Sequence, residues 1–308
     1  MSITRRNFVI AGAATVAASI LRPKADGMAS AEEAWRMEAP RTRARSTKKG
    51  LAGIAPLNSR LVTSWYYDWQ LHPATHGMPS VDPAILFYPM CWGWMPAQPA
   101  GATSTNSNKP AADNSNPEGL MHLKAQNPKV LFGFNEPDHV DQSNLSVEAA
   151  VKAWPAFQGV AQELVGPSCA NPMGDWMAKF VPEIERQNLQ MDALGFHSYG
   201  SPSVEPFVDK LEAFYARYKR PVWVTEFAVA DWAAKDGKAL NRYSVEQVAE
   251  FMQGACAYMD KTPWIKGYAW FPTAGKHAAR GGNGPLTTSM LYKPDGSLNQ
   301  LGHLYNSL

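Results

Sequence analysis

The sequence predicts a single α/β domain of the (β/α)8 type, a TIM barrel. Three observations support this fold class: eight short apolar runs with β character, helix-length segments between them, and polar or aromatic residues where the runs end. Eight βα units in about 250 residues match the usual size of such a barrel, whose active site lies at the carboxyl ends of the strands. The predicted strands are 50–55, 61–67, 84–91, 130–135, 163–167, 193–197, 222–227 and 266–271.

Segments of helical length separate these strands. The clearest start signal is Ser244-Val245-Glu246-Gln247, which has the pattern of a capping box. Stretches rich in Pro, Ser, Asn or Gly at 94–117 and 277–285 predict loops on the active-site side of the barrel. The predicted helices are 120–126, 147–163, 176–187, 204–218, 245–259 and 298–308.

The first 48 residues differ from the rest of the chain. Thr4-Arg5-Arg6-Asn7-Phe8 precedes a weakly hydrophobic run of small residues over 11–20, which is the pattern of a twin-arginine export signal. We therefore predict a signal peptide over 1–31, a basic linker over 32–48 and a catalytic barrel over 49–308. The expected location is periplasmic or extracellular.

Charge and composition narrow the classes of partner. Residues 1–49 hold ten of the 29 Lys and Arg and four of the 27 Asp and Glu, so the remainder has 19 basic and 23 acidic residues, a net charge of −4. A mildly acidic body argues against a nucleic-acid partner. No apolar stretch reaches the ~20 residues of a membrane span, so we expect no membrane association after processing. The three cysteines have no metal-binding spacing, and a monomer is expected.

Two glutamates end apolar strands where a buried strand would prefer an aliphatic residue. Glu136 follows Gly133-Phe134-Asn135, and Glu226 follows Val222-Trp223-Val224-Thr225. They end the fourth and seventh predicted strands, which face each other across the barrel mouth. Two facing carboxylates are what glycosidic cleavage requires, one as acid/base and the other as nucleophile. We therefore predict a retaining glycoside hydrolase with Glu136 as acid/base and Glu226 as nucleophile.

Aromatic residues also gather near the predicted strand ends. Of 11 tryptophans, Trp65 and Trp270 are the two that we predict to stack on sugar rings. His197 is compatible with either a buried core histidine or a ligand contact. Asp138 and His139 lack the spacing of a metal site, and we expect no metal and no cofactor.

Several segments together resemble glycoside hydrolase family 128. The resemblance runs from about Lys49 to Tyr305, and its most specific parts are the two glutamate-bearing strand ends in their order. The segments are Lys49-Gly50-Leu51-Ala52, Ser64-Trp65-Tyr66-Tyr67-Asp68-Trp69, Phe87-Tyr88-Pro89-Met90-Cys91-Trp92-Gly93, Gly133-Phe134-Asn135-Glu136-Pro137-Asp138, Thr225-Glu226-Phe227-Ala228 and Tyr268-Ala269-Trp270-Phe271.

This resemblance implies a β-1,3-glucanase of the large clan of retaining barrel enzymes. It implies that Asn135 holds the sugar at the cleavage site and that Tyr199 lies near the nucleophile. With Tyr66 and His197, these residues complete the predicted substrate contacts, and the predicted partner is a β-1,3-glucan polysaccharide or oligosaccharide.

Two alternatives remain open from the sequence. Another barrel glycosidase, a β-mannanase or β-1,4-glucanase, would use the same two carboxylates with differently shaped subsites. A non-catalytic polysaccharide-binding protein would keep the cleft without turnover. A redox enzyme is not favoured, since the sequence has no GxGxxG or CxxC signal.

Overall fold

The computed structural model describes residues 46–53, 61–73, 84–94, 117–235, 239–271 and 284–308. All eight predicted strands are present within these ranges, which confirms the barrel. The predicted export signal and most of the two predicted loops lie outside the described residues. The strands are β1 (Lys49–Ala52), β2 (Trp65–Tyr67), β3 (Leu86–Phe87), β4 (Val130–Phe132), β5 (Glu163–Gly166), β6 (Ala193–Gly200), β7 (Val222–Val229) and β8 (Ile265–Trp270).

The strands form one parallel sheet in the order β3-β2-β1-β8-β7-β6-β5-β4. The two ends of this sheet meet just beyond β3. Met90 forms a parallel bridge with Phe132 of β4, where Cys91 N donates to Phe132 O at 3.0 Å and Phe132 N donates to Pro89 O at 2.9 Å. This contact closes the ring, so the carboxyl ends of all eight strands surround one mouth.

Six described α-helices cover the outside of the barrel. The capping box predicted at Ser244 and Gln247 is present. The predicted helix over 147–163 is too long, because Pro155 lacks the N–H that an α-helix needs and the chain continues as a 3-10 helix over Trp154–Phe157. The helices are α1 (Pro117–Gln126), α2 (Val147–Ala153), α3 (Asp175–Arg186), α4 (Val204–Tyr218), α5 (Val245–Lys261) and α6 (Gln300–Ser307).

The space inside the barrel is filled by aromatic rings. Trp65 is 1% exposed, its ring lies 5.1 Å from Trp223, and its Nε1 donates to Lys48 O at the start of β1. Glycines make room for these rings: a Cβ on Gly50 would lie 2.1 Å from the Trp65 ring, and one on Gly267 would lie 2.3 Å from that of Trp223. Close packing therefore fixes both indoles at the amino-terminal end of the barrel.

A second, larger core lies between the sheet and the helices. Trp270 belongs to it and is fully buried, with its ring 5.0 Å from Phe227 and its Nε1 donating to Ser289 O. Tyr66 packs on Phe87 in the same layer, and burial raises its pKa to about 12. The three cysteines are free and buried. Within the described ranges, no helix has the length and apolar character to cross a membrane.

Candidate active site

The end of β4 directs Glu136 into the barrel mouth. Asn135 N donates to Trp92 O at 2.8 Å and Glu136 N donates to Ser168 O at 2.7 Å, so both neighbouring segments hold this backbone. Glu136 has a φ of 40°, in the left-handed region that non-glycine residues rarely adopt. Such a conformation costs free energy and is found where function requires a particular side-chain direction.

An irregularity in β7 directs Glu226 to the same place. Phe196 pairs with Val224 but His197 pairs with Glu226, so β7 has one more residue than β6 at this point. The register with β8 also shifts between Val224 and Phe227. Trp223 faces the barrel interior, so strict alternation would turn Glu226 outward. The extra residue, Thr225, restores the inward direction.

Three side chains hold the Glu226 carboxylate. Tyr67 OH donates to Oε1 at 3.0 Å, and Trp69 Nε1 donates to the same oxygen at 2.8 Å. Tyr199 OH donates to Oε2. Three hydrogen bonds from two directions fix the position and orientation of this carboxylate. Glu226 itself is only 5% exposed, so these donors replace the water it has lost.

His197 lies between the two glutamates. Its Nδ1 is 2.9 Å from Glu136 Oε1, within hydrogen-bond distance, and 3.5 Å from Glu226 Oε2. Its Nε2 is buried and has no hydrogen-bond partner among the described residues. Through this one ring nitrogen, the imidazole couples the positions of both carboxylates.

The negative charge of the pair changes the pKa values of its neighbours. For His197, burial acts to lower the pKa, but the charges of Glu226 and Glu136 together outweigh burial and raise it above 6.5. Burial raises the pKa of Tyr67 and of Tyr199 well above 10.0, and the charge of Glu226 adds to the rise. Both phenols therefore remain protonated donors at neutral pH.

Asn135 and Asp138 organise the surroundings of Glu136. Asn135 is 4% exposed and its Nδ2 donates to Gln142 Oε1 at 3.1 Å, while its Oδ1 has no partner among the described residues. Asp138 accepts hydrogen bonds from the backbone N–H groups of Ala170 and Asn171, each at 2.8 Å. The Asp138 carboxylate thus ties the loop after β4 to the loop after β5.

The structure brings together Glu136, Glu226, Asn135, His197 and Tyr199 of the predicted site residues. It does not bring Trp65, Tyr66 or Trp270 to the mouth. Trp65 lies at the opposite end of the barrel interior, and the other two face the helices, so all three rings belong to the core.

Two residues of the site are missing from the predicted set, Tyr67 and Trp69. Trp65, Tyr67 and Trp69 are two residues apart along β2 and its extension, and they share the inward direction. This two-residue spacing could have identified both residues from the sequence, because the inward-facing residues nearest the carboxyl end of the strand reach the mouth of the barrel. Trp69 also has a φ of 63° and is only partly buried.

The two glutamates and His197 form the group of described residues that could hold a metal ion. Glu136, His197 and Glu226 each offer one ligand atom, and these three atoms lie within 4.8 Å of one another. Two carboxylates and an imidazole suit several divalent cations. The predicted absence of a metal stays a prediction.

The arrangement can carry out acid/base and nucleophilic chemistry with two carboxylates. One oxygen of Glu136 lies within 4.8 Å of one oxygen of Glu226. Glu226 is bound by three neutral donors, whereas the side chain bonded to Glu136 in the described part of the chain is that of His197. Different surroundings for two nearby carboxylates are what separate an acid from a nucleophile.

Comparison with known proteins places this geometry in a family. The glycosyl hydrolase catalytic core family matches residues 51–305. Among curated proteins, a 188-residue segment is 27% identical to alkali-sensitive linkage protein 1 of Schizosaccharomyces pombe. This match covers 58% of the chain but only 32% of the yeast protein, so the chain spans about a third of that relative's length.

Solved structures with the same architecture include two bacterial enzymes. One is a GH128 subgroup I endo-β-1,3-glucanase from Amycolatopsis mediterranei in complex with laminaritriose, with 26% identity and a TM-score of 0.65 over 85% of this chain and 99% of that chain. The other is a GH128 subgroup II endo-β-1,3-glucanase from Pseudomonas viridiflava, with 25% identity and a TM-score of 0.62 over 85% and 98%. The chain therefore belongs to the glycosyl hydrolase catalytic core family, which confirms the predicted resemblance to glycoside hydrolase family 128.

Proposed function

We propose that this protein hydrolyses β-1,3-glucan with retention of anomeric configuration. The observation that carries the proposal is the short separation of the two carboxylates: one oxygen of Glu136 and one oxygen of Glu226 lie within 4.8 Å of each other. Retaining enzymes have carboxyl groups about 5–5.5 Å apart, whereas inverting enzymes need roughly 6.5–9.5 Å to place a water molecule between carboxylate and sugar. The spacing here supports direct attack by one carboxylate.

The different surroundings of the glutamates support their roles. Glu226, positioned by hydrogen bonds from Tyr67, Trp69 and Tyr199, attacks the anomeric carbon. Glu136 gives its proton to the glycosidic oxygen, so the bond to the leaving sugar breaks as the bond to Glu226 forms. Glu136 then removes a proton from water, which displaces Glu226 and releases the product.

His197 supports both steps from a fixed position. When Glu136 has lost its proton, His197 Nδ1 can donate to Glu136 Oε1 at 2.9 Å and stabilise the carboxylate. The ring has little room to move, because it is only 1% exposed and its Nδ1 lies against both carboxylates. Asn135 has a buried Oδ1 without a partner among the described residues, and this oxygen can accept a hydrogen bond from a sugar hydroxyl at the cleavage site.

The substrate class rests on the structural relatives. The Amycolatopsis mediterranei enzyme binds laminaritriose, a β-1,3-linked trisaccharide, and shares nearly its whole length with this chain. A mildly acidic body without a basic surface excess suits a neutral glucan.

Export by the twin-arginine pathway is part of the proposal. Its support is the Arg5-Arg6 pair followed by Phe8 and the small-residue run over 11–20. Export would bring the enzyme to polysaccharide that lies outside the cytoplasm. Replacement of Arg5 and Arg6 by lysine, followed by detection of the protein in periplasmic and culture fractions, tests this location. Unchanged export of that variant would contradict it.

Product analysis tests the activity. Wild type, Glu136→Gln and Glu226→Gln are incubated with laminarin, carboxymethyl curdlan, cellulose and mannan. We expect oligosaccharides from the two β-1,3-glucans with the wild type, and none with either variant. Products from mannan or cellulose alone would replace the substrate class and keep the carboxylate chemistry. Binding of glucan without release of reducing sugar by the wild type would favour a polysaccharide-binding protein.

A further inference from the structure

Trp232 is the exposed aromatic residue near the active site in the described ranges. It is the first residue of the short 3-10 helix Trp232–Ala234, which follows β7, and it is 53% exposed. The other exposed large apolar residues in the described ranges are aliphatic: Val62, Leu86, Met121, Val140 and Leu240. Single exposed apolar side chains are common on protein surfaces, so exposure alone does not indicate a binding site. The stronger indications are the place of this indole near the active site and the hydrogen bonds that hold its turn.

The turn that carries Trp232 is held by a buried carboxylate. Asp231 is 1% exposed, and its Oδ1 accepts from Ala233 N at 3.2 Å while its Oδ2 accepts from Arg242 N at 2.9 Å. Arg242 Nε lies 3.2 Å from Asp231 Oδ1, and Asp231 N donates to Pro285 O at 2.8 Å. An exposed indole on a turn fixed in this way is already in place before any ligand arrives, which lowers the entropy cost of binding.

One ring separates Trp232 from the nucleophile. The Trp232 and Tyr199 rings lie 6.2 Å apart in an edge-to-face arrangement, and Tyr199 OH donates to Glu226 Oε2. The Phe271 ring also packs on Tyr199, 5.8 Å away. The exposed indole is therefore separated from the Glu226 carboxylate by the side chain of Tyr199.

The exposed face of the Trp232 indole and the polar groups of the nearby active site together suit a β-linked glucosyl ring. Such a ring has equatorial hydroxyl groups around its edge and C–H groups on its faces, so it can stack on an indole while its edge forms hydrogen bonds. We propose that Trp232 is a platform that binds a glucosyl unit next to the one cleaved. The proposal rests on the proposed glucanase function.

Binding measurements on an inactive variant isolate this role. In the Glu226→Gln background, the Kd for laminarihexaose is measured by calorimetry with Trp232, Trp232→Phe and Trp232→Ala. We expect Trp232→Ala to weaken binding about tenfold or more, as for aromatic residues that dominate binding sites. Trp232→Phe should lose less, because a smaller ring retains part of the stacking face.

Kinetics in the active protein separate a platform from a structural residue. Trp232→Ala should raise KM for laminarihexaose about tenfold while kcat stays within about threefold, since removal of binding shared by ground state and transition state changes KM. Its melting temperature should match that of Met121→Ala, a control that removes a 70% exposed side chain on α1. The control should leave Kd and KM unchanged.

Two results would overturn the platform. One is a Kd for Trp232→Ala within twofold of the parent. The other is a loss of affinity that Met121→Ala shares. Either result with an active wild type rejects the role of Trp232 alone, whereas a wild type that cleaves no β-1,3-glucan rejects the proposed function. Trp232→Gln provides a second test by the same two criteria if the alanine variant is poorly soluble.

Discussion

Replacement of Tyr199 by phenylalanine tests how much the hydrogen bonds to the Glu226 carboxylate contribute to catalysis. Tyr199 OH donates to Glu226 Oε2, and Tyr67 and Trp69 donate to Oε1. The Tyr199 ring also packs against Trp232 and Phe271, and phenylalanine retains those ring contacts. The variant therefore removes one donor and leaves the packing in place.

The expected effect follows from the free energy of one hydrogen bond to a charged group. Such a bond contributes about 1.5–3 kcal/mol. Each 1.36 kcal/mol corresponds to a tenfold change in rate, so complete loss would lower kcat/KM by roughly ten- to a hundredfold. Two donors remain on Oε1, and we expect a decrease of about tenfold.

The assay is kcat/KM on laminarihexaose at one fixed pH. The matched control is Tyr258→Phe, which also removes a tyrosine donor from a glutamate, the 3.0 Å bond to Glu212 on the outer surface between α4 and α5. Its kcat/KM should match that of the wild type. A kcat/KM that is unchanged in Tyr199→Phe, or that falls equally in Tyr258→Phe, would refute the reasoning.

Three further predictions concern the groups around Glu136. Because Glu136 has a φ of 40°, Glu136→Asn should be about 1 kcal/mol more stable to urea than Glu136→Ala, since asparagine adopts the left-handed region more readily; equal stabilities would contradict this strain. Neighbouring carboxylates raise the pKa of His197 in the folded protein above its unfolded value near 6.5. Protonated His197 therefore stabilises the fold fully below about pH 6.5, and this stabilisation is lost as the pH rises through the folded pKa. The melting temperature of the wild type relative to His197→Gln should therefore be highest near about pH 6 and decline toward higher pH, and a difference that grows with pH would reverse the sign. Asp138→Ala loses two 2.8 Å bonds from the Ala170 and Asn171 N–H groups and should lower the free energy of unfolding in urea by about 2 kcal/mol. Asp138→Asn keeps one acceptor oxygen for one of these two N–H groups and should lose less.

The barrel could be predicted because its signals repeat. Each of the eight strands has an apolar run, and a parallel strand buried on both faces requires such a run. Glu136 and Glu226 stand out against these runs, since burying a carboxylate at the end of an apolar strand is costly without a partner. Position along the strands then places both glutamates at one mouth.

The direction of individual side chains was harder to predict. Trp65, Tyr66, Tyr67 and Asp68 are all at least 96% buried, so the burial pattern does not distinguish the two faces of β2. The predicted strand also began at residue 61, whereas β2 begins at Trp65. This shift moves Trp65 to the amino-terminal end of the barrel and gives the active-site position to Trp69.

The inward direction of Glu226 depends on a feature that residue types do not encode. Regular alternation from Trp223 places Thr225 inward and Glu226 outward. The additional residue in β7, relative to both β6 and β8, changes that alternation. A prediction from periodicity alone therefore identifies the nucleophile by its chemistry and misses how the strand aims it.

The anomeric configuration of the first product tests the central claim most directly. Proton NMR of laminarihexaose hydrolysis by the wild type, recorded within the first minutes, shows the new reducing end before it equilibrates. Attack by Glu226 followed by attack of water predicts that the β-anomer appears first and that the α-anomer grows in later by mutarotation. First appearance of the α-anomer would contradict the double displacement and the role of Glu226 as nucleophile.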